Sequence, residues 1–219
     1  MSDFLARGDV TAQTVPPFVL PEPREVAAVI TAAGFSSRMG SPKALLEWGE
    51  KPLLQHQIDV LAAFGQVVVV LGHEAEHILE RIAPNPNTRL VVHPGYSEGR
   101  SSSLQAGSRA IIGDPRGLLV LGTDQPLDER VLCPLLQALG PETSLAVPVK
   151  QGRRGHPVLL AGFLLPELRQ VAQEPEGLRT IVRRHHAKSV EVPIDLDAPW
   201  WDLNTPDDYA QAIATPPRG

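Results

Sequence analysis

V-A-A-V-I-T-A-A-G-F-S-S-R-M-G-S-P-K, from Val26 to Lys43, is the stretch on which the fold turns. Val26–Ile30 is an unbroken apolar run of strand length, and it passes directly into a loop of small residues, hydroxyls and two cations at 31–43. Gly34 and Gly40 let a backbone approach a ligand and adopt positive φ at low cost. Backbone N–H groups exposed in such a loop bind anionic oxygens. Arg38 offers a flat five-donor fork and Lys43 a point charge, together suited to a polyphosphate. The competing reading of the same residues is a Gly-rich turn carrying two solvated cations.

Apolar strands and helical segments alternate beyond the loop. Strands are expected at 67–71, 90–93, 118–121, 145–149 and 158–160, with helices at 53–64, 75–82, 102–112, 127–139, 163–172 and 176–184. Pro134 is expected to end or kink the helix at 127–139. Continuous Val/Leu strands separated by helices predict an α/β fold, a mostly parallel sheet covered on both faces. Ligands of such sheets bind beyond the carboxyl ends of the strands, where the 31–43 loop lies. Residues 1–24, with Pro16, Pro17, Pro21 and Pro23, are expected to form a loosely packed or disordered arm. Residues 25–213 are expected to form one domain and 214–219 a frayed tail.

The 219 residues carry a formal net charge of −5, which argues against a nucleic-acid partner. The single Cys133 excludes an internal disulfide and, in its apolar surroundings, reads as a small core residue. No apolar run has the length of a membrane span, and the N-terminal stretch lacks a secretory h-region, so the expected compartment is the cytoplasm.

Two other motifs compete for the function. His73-Glu74-Ala75-Glu76-His77 matches the zinc-protease pattern H-E-x-x-H, but His73 follows Gly72 at a strand end, which places it in a turn outside the helix. Gly95-Tyr96-Ser97-Glu98-Gly99 matches the G-x-S-x-G nucleophile elbow, with Asp124 and His156 in the right order for a triad. The following helix is read from Ser102, which leaves Ser97 short of the strand–helix junction. Neither a P-loop nor a G-x-G-x-x-G signature is present.

Later polar clusters fall where a phosphate site needs them. Asp124, in G-T-D-Q-P (122–126), is placed as a Mg²⁺ ligand or as the N-cap of the next helix. In D-L-N-T-P-D-D-Y (202–209), Thr205 caps a helix beginning at Pro206, and Asp202 and Asn204 remain as further metal ligands. Gly152–Pro157 sets two arginines and His156 in a tight loop, fit to grip an anionic second substrate or to be a plain polar hairpin.

Taken in order, A-A-G-F-S-S-R-M-G-S-P-K-A-L-L (32–46), P-L-L (52–54), E-G-R-S-S-S-L-Q-A-G (98–107), G-T-D-Q-P (122–126), R-G-H-P (154–157) and D-L-N-T-P-D-D-Y (202–209) resemble the MobA-like NTP transferase family, in particular its molybdenum cofactor cytidylyltransferases. The resemblance implies a three-layer α/β/α sandwich of the nucleotide-diphospho-sugar transferase type, a Rossmann-like fold. It implies that Ala32, Ala33, Gly34, Ser37, Arg38, Gly40 and Lys43 hold base and triphosphate, with Ser101, Ser102, Ser103 and Gly107 near the nucleoside. It implies Mg²⁺ on Asp124 with Asp202 or Asn204, and an acceptor site at Arg154, Gly155 and His156. Arg38, Lys43 and Asp124 would carry catalysis. The implied reaction moves CMP from CTP onto molybdopterin or a related phosphorylated acceptor; other acceptors such as a sugar phosphate, and a non-catalytic carrier serving a molybdoenzyme partner, are the alternatives. Two positions depart from the family's pattern: Arg100 stands where methionine is usual, and Asn204 where cytidylyltransferases often have aspartate.

Overall fold

In β1 (Val26–Ala32) successive side chains serve two different cores. Ala28, Ile30 and Ala32 pack on one face of the sheet, while Ala27 and Val29 pack on the other. That is why the strand reads as continuously apolar: alternation has nothing to expose when both faces are covered. The structure, a computed structural model, describes residues 19–214. Most of the arm expected at 1–24 and the tail from 215 lie outside the described residues.

The elements after β1 are β2 (Glu47–Trp48), β3 (Lys51–Pro52), α1 (Leu53–Val60), β4 (Gln66–Leu71), α2 (Ala75–Leu79), β5 (Thr88–Val92), α3 (Arg100–Arg109) and β6 (Gly117–Gly122). They are followed by α4 (Leu132–Gln137), β7 (Leu145–Lys150), β8 (Arg153–Arg154), β9 (Val158–Ala161), α5 (Leu165–Leu168), α6 (Leu178–Arg184), β10 (Ser189–Pro193) and α7 (Pro206–Ala214). The main sheet runs β10-β7-β9-β6-β1-β4-β5, with β8 paired to β7. β1 lies parallel between β4 and β6, in register Thr31↔Val70 and Thr31↔Gly122. β9 is antiparallel to both β6 and β7, so the expected sheet is mostly parallel with one reversed strand in its interior. Residues of α1 and α4 cover one face, and residues of α3, α5 and α6 the other, giving the three-layer α/β/α sandwich.

Several local expectations change. The helix read over 127–139 is confined to Leu132–Gln137, and Pro134 sits inside it. Within the first turn a proline gives up no hydrogen bond, since those N–H groups have no partner in the helix. Cys133 is exposed, correcting the core assignment; α4 buries Leu135 and Leu136 instead. The β2–β3 hairpin and α7 form a separate small cluster through Leu53, Leu203 and Ala212, joined by Trp48, Trp201 and Tyr209. Thr205 caps α7 as read: Asp208 N donates to Thr205 Oγ1 at 3.2 Å, and Asp208 Oδ2 accepts from Thr205 N at 2.8 Å.

Candidate functional site

β1, β4, β5 and β6 all end at one edge of the sheet, and a cleft of about 850 Å³ opens there. The loop after β1 forms one wall. Ala33 O accepts from His73 N at 3.3 Å, tying the loop to the end of β4. Ser36 adopts positive φ (50°), and its Oγ accepts the Lys43 backbone N–H at 3.1 Å, so the two ends of the loop are held together. Ala32, Ala33, Gly34, Ser37, Arg38 and Lys43 line the cleft. Gly40 turns the chain at φ 72° but lies outside the lining.

Across the chain from this loop, three cations meet two polar acceptors. Lys43 Nζ donates to Asn204 Oδ1 at 2.9 Å and stands 3.6 Å from Asp124 Oδ2. Arg38 Nη2 reaches the same Asn204 oxygen at 3.4 Å. Arg100 Nη2 bonds Asp124 Oδ2 at 3.0 Å, although its own side chain is 81% exposed. Lys43 and Asp124 are far more enclosed, at 13% and 10%. Burial pushes the Lys43 ammonium below the ordinary lysine range; Asp124 and Asp202 oppose that shift and Arg100 adds to it. Asp124 is thus held as an ion-paired carboxylate in the cleft. Its alternative reading as a helix cap is removed, because Asp128 accepts from Arg130 N and caps the turn that follows.

The segment bearing Asp124 is fixed from behind. Gln57, buried on α1, donates from Nε2 to Gly122 O at 3.0 Å and Gln125 O at 2.7 Å. A Cβ on Gly122 would overlap Asp124 Oδ1, so the carboxylate lies over a position only glycine leaves open. Leu203 N donates to Asp124 O at 2.8 Å, which brings the 202–204 segment alongside. Asp124, Asp202 and Asn204 all line the cleft and offer oxygen donors of the kind Mg²⁺ takes. Lys43, a cation standing at oxygens of two of them, shows that the donor set is electrostatically suited to a positive ion. Among the described residues there is no group of three or more His, Cys, Asp or Glu arranged for a metal; this candidate has two carboxylates and an amide.

Other residues singled out from sequence divide. Ser101, Ser103 and His156 line the cleft. Ser102 does not: its Oγ donates to Gly99 O at 2.8 Å and Gly95 O at 3.2 Å, bracing the start of α3. Gly107 also lies outside the lining, where a Cβ would meet Val29 Cγ1 at 2.5 Å and Val70 Cγ2 at 2.7 Å, so it lets α3 lie close on the sheet. Gly155 packs against Pro199, whose oxygen would stand 2.6 Å from a Cβ. Arg154 is drawn away to Glu191, with Nε–Oε1 at 2.9 Å and Nη2–Oε1 at 2.8 Å. Enclosure by the cleft walls pushes the His156 imidazole below its ordinary value, against the pull of Asp202 and Asp124. Its ring surface is nonetheless open to the cleft's solvent, which moderates the effect.

Neither rival motif is assembled. Glu74 takes a left-handed conformation before α2, so of the two histidines His77 alone is helical. Ser97 lies in the short 3-10 turn Tyr96–Glu98, ahead of α3, away from a strand-to-helix elbow. A second cavity, of about 820 Å³, is lined by Trp48, His56, Lys150 and Trp201 among others, and its lysine is already paired with Asp195 and Asp197. It contains none of the sequence-predicted residues. Two features of the cleft escaped the sequence reading: Phe35 and Tyr96, whose rings meet at 5.3 Å, and Arg179 at the start of α6.

Known proteins resemble the chain over most of its length. The profile of the MobA-like NTP transferase domain matches residues 28–190. The molybdenum cofactor cytidylyltransferase of Escherichia coli (strain K12) is 28% identical over 190 residues, covering 85% of this chain and 95% of that protein. The molybdenum cofactor guanylyltransferase of Rhizobium leguminosarum bv. trifolii (strain WSM2304) is 30% identical over 208 residues, 86% and 91% of the two chains. The nicotine blue oxidoreductase of Paenarthrobacter nicotinovorans is 32% identical over 170 residues, 73% and 82%. Among solved structures, the manganese complex of Rv0371C from Mycobacterium tuberculosis H37Rv superposes with a TM-score of 0.71 at 26% identity, covering 87% of this chain and 98% of that one. With the cation-lined cleft at the carboxyl edge of a mostly parallel sheet, the profile match establishes that the chain belongs to the MobA-like NTP transferase family, with the nucleotide-diphospho-sugar transferase fold.

Proposed function

We propose that the protein transfers a nucleotidyl group, CMP from CTP, onto the phosphate of a molybdopterin-type acceptor and releases pyrophosphate. The observation that carries this reading is the meeting of Lys43 with Asn204 and Asp124: the loop after β1, the end of β6 and the segment before α7 supply a half-buried ammonium, a carboxylate and an amide to one point of the cleft. A carrier that only shelters a nucleotide has no use for a buried carboxylate beside its phosphate-binding cations. The A-A-G and P-K pattern of the loop supports CTP through its resemblance to the family's cytidylyltransferases.

The residues divide the work as follows. Ala32, Ala33 and Gly34 offer small side chains and backbone to the nucleotide, with Ser37, Ser101 and Ser103 contributing hydroxyls. Arg38 and Lys43 neutralise the triphosphate and the departing pyrophosphate. The acceptor's phosphate monoester has a second pKa near ~6 and is already largely ionised at pH 7. No protein base is needed to activate it. Catalysis then rests on positioning and preorganised charge. Asp124, with Asp202 or Asn204, would hold Mg²⁺, which supplies further neutralisation of phosphate charge when bound.

The test is pyrophosphate release with each of the four NTPs and Mg²⁺, with and without molybdopterin. Release with CTP that depends on molybdopterin is the expected result. Release with another NTP corrects the base; release with a sugar phosphate in place of molybdopterin corrects the acceptor; no release with any combination removes the reading.

A further inference from the structure

Of the cations facing the cleft, three are committed: Arg38 and Lys43 to Asn204, and Arg100 to Asp124. The arginine that sequence analysis assigned to the second substrate, Arg154, is bonded to Glu191 and in contact with His186 at 3.2 Å, outside the cleft. Arg179 is different. It lines the cleft with His156, and among the described residues no carboxylate forms an ion pair with its guanidinium. Glu176, on the same wall, is engaged by Arg183.

The placement of Arg179 is built into the fold. The turn before α6 brings Gly177 (φ 57°) so close to α3 that a Cβ there would overlap Ser101 Oγ. This contact docks the start of α6 against the first turn of α3, the element that also carries Arg100 and Ser103. Arg179 and His156 line the same cleft, so the two groups face a common space.

We infer that Arg179 is the residue that binds the phosphate monoester of the second substrate, in the place sequence reasoning gave to Arg154. A guanidinium has five donors in a planar fork, and one without a carboxylate partner has them free for a dianion with three acceptor oxygens. The inference rests on the nucleotidyl-transfer reading for the identity of the second substrate, but its anion chemistry is testable without turnover.

The experiment compares full-length wild type with Arg179→Ala, Arg179→Lys and Arg154→Ala. Inorganic phosphate binding is measured by calorimetry, and initial rates are measured with molybdopterin varied at saturating CTP and Mg²⁺, then with CTP varied. Losing one charge-assisted, forked contact is expected to weaken phosphate binding and raise the molybdopterin KM by roughly 10–100-fold. The CTP KM and kcat should stay within about threefold, Arg179→Lys should retain part of the binding that Arg179→Ala loses, and Arg154→Ala should move none of these values. An unchanged molybdopterin KM in Arg179→Ala, or a rise in the CTP KM in its place, overturns the assignment. If wild type binds phosphate through Arg179 yet turns over no NTP, the anion site stands and nucleotidyl transfer falls. Arg179 is exposed, so the substitution leaves the fold intact, which an unchanged melting temperature verifies.

Discussion

Replacing Lys43 by alanine removes the cation on which the proposed chemistry depends most. Its ammonium is 2.9 Å from Asn204 Oδ1 and 3.6 Å from Asp124 Oδ2, and the side chain is only 13% exposed. At about 4 Å and an effective dielectric near 20, a unit charge pair interacts by about 4 kcal/mol. Removing one preorganised donor at a developing charge costs roughly 10²–10³ in kcat, or about 2.7–4 kcal/mol. The fold should survive, because Asp124 retains Arg100 at 3.0 Å and Asn204 retains Arg38 at 3.4 Å. The assay is steady-state pyrophosphate release with CTP, Mg²⁺ and molybdopterin, alongside a thermal melt. We expect kcat to fall by roughly 10²–10³ with the melt nearly unchanged. Turnover within about threefold of wild type would refute the role, and loss of activity that merely tracks loss of fold would assign Lys43 to structure.

The same lysine predicts a pH signature. Burial lowers its folded-state value, so the folded chain gives up this proton before the unfolded chain does. Stability from this group therefore rises as pH climbs through the depressed value toward the ordinary lysine range, while activity falls over the same window. The pH–kcat profile should show an alkaline limb below that of an ordinary lysine, absent in Lys43→Arg; its persistence in that variant contradicts the assignment. Asp124→Ala should abolish Mg²⁺-dependent activity in a folded protein, since Asp128 performs the capping; an unfolded product with normal residual specific activity would restore the structural reading. Gly107→Ala should destabilise by about 1–3 kcal/mol through the clash with Val29 and Val70, with the folded fraction keeping its KM for CTP. A raised KM without a lower melting temperature would show instead that Gly107 contacts the nucleotide.

The strand at 26–32 and the loop behind it were legible because both obey local rules: a strand covered on both faces must be apolar throughout, and a loop that approaches phosphate must be small and cationic. Strand direction was not legible. The apolar run at 158–161 looks the same whether parallel or, as here, reversed between β6 and β7. Two-residue strands such as β2 and β3 leave no periodicity to read. Within the motifs, residue type alone did not separate ligand-facing from structural positions. Ser102 and Ser103 are adjacent and chemically identical, but one points its hydroxyl to backbone carbonyls and the other lines the cleft. Arg154 and Arg179 show the same limit for cations, since which arginine is neutralised depends on Glu191, a residue 37 positions away from Arg154. Cys133 has apolar neighbours in sequence, yet helical rotation puts it on the outer face.

The most direct test of nucleotidyl transfer follows the label. CTP carrying its label at the α-phosphorus, and separately at the γ-phosphorus, is incubated with the protein, Mg²⁺ and molybdopterin, and the acceptor is isolated. Attack at the α-phosphorus predicts that the acceptor gains CMP with the α label, with the γ label recovered in pyrophosphate. Transfer of the γ label to the acceptor, or release of orthophosphate with no labelled acceptor, would contradict it.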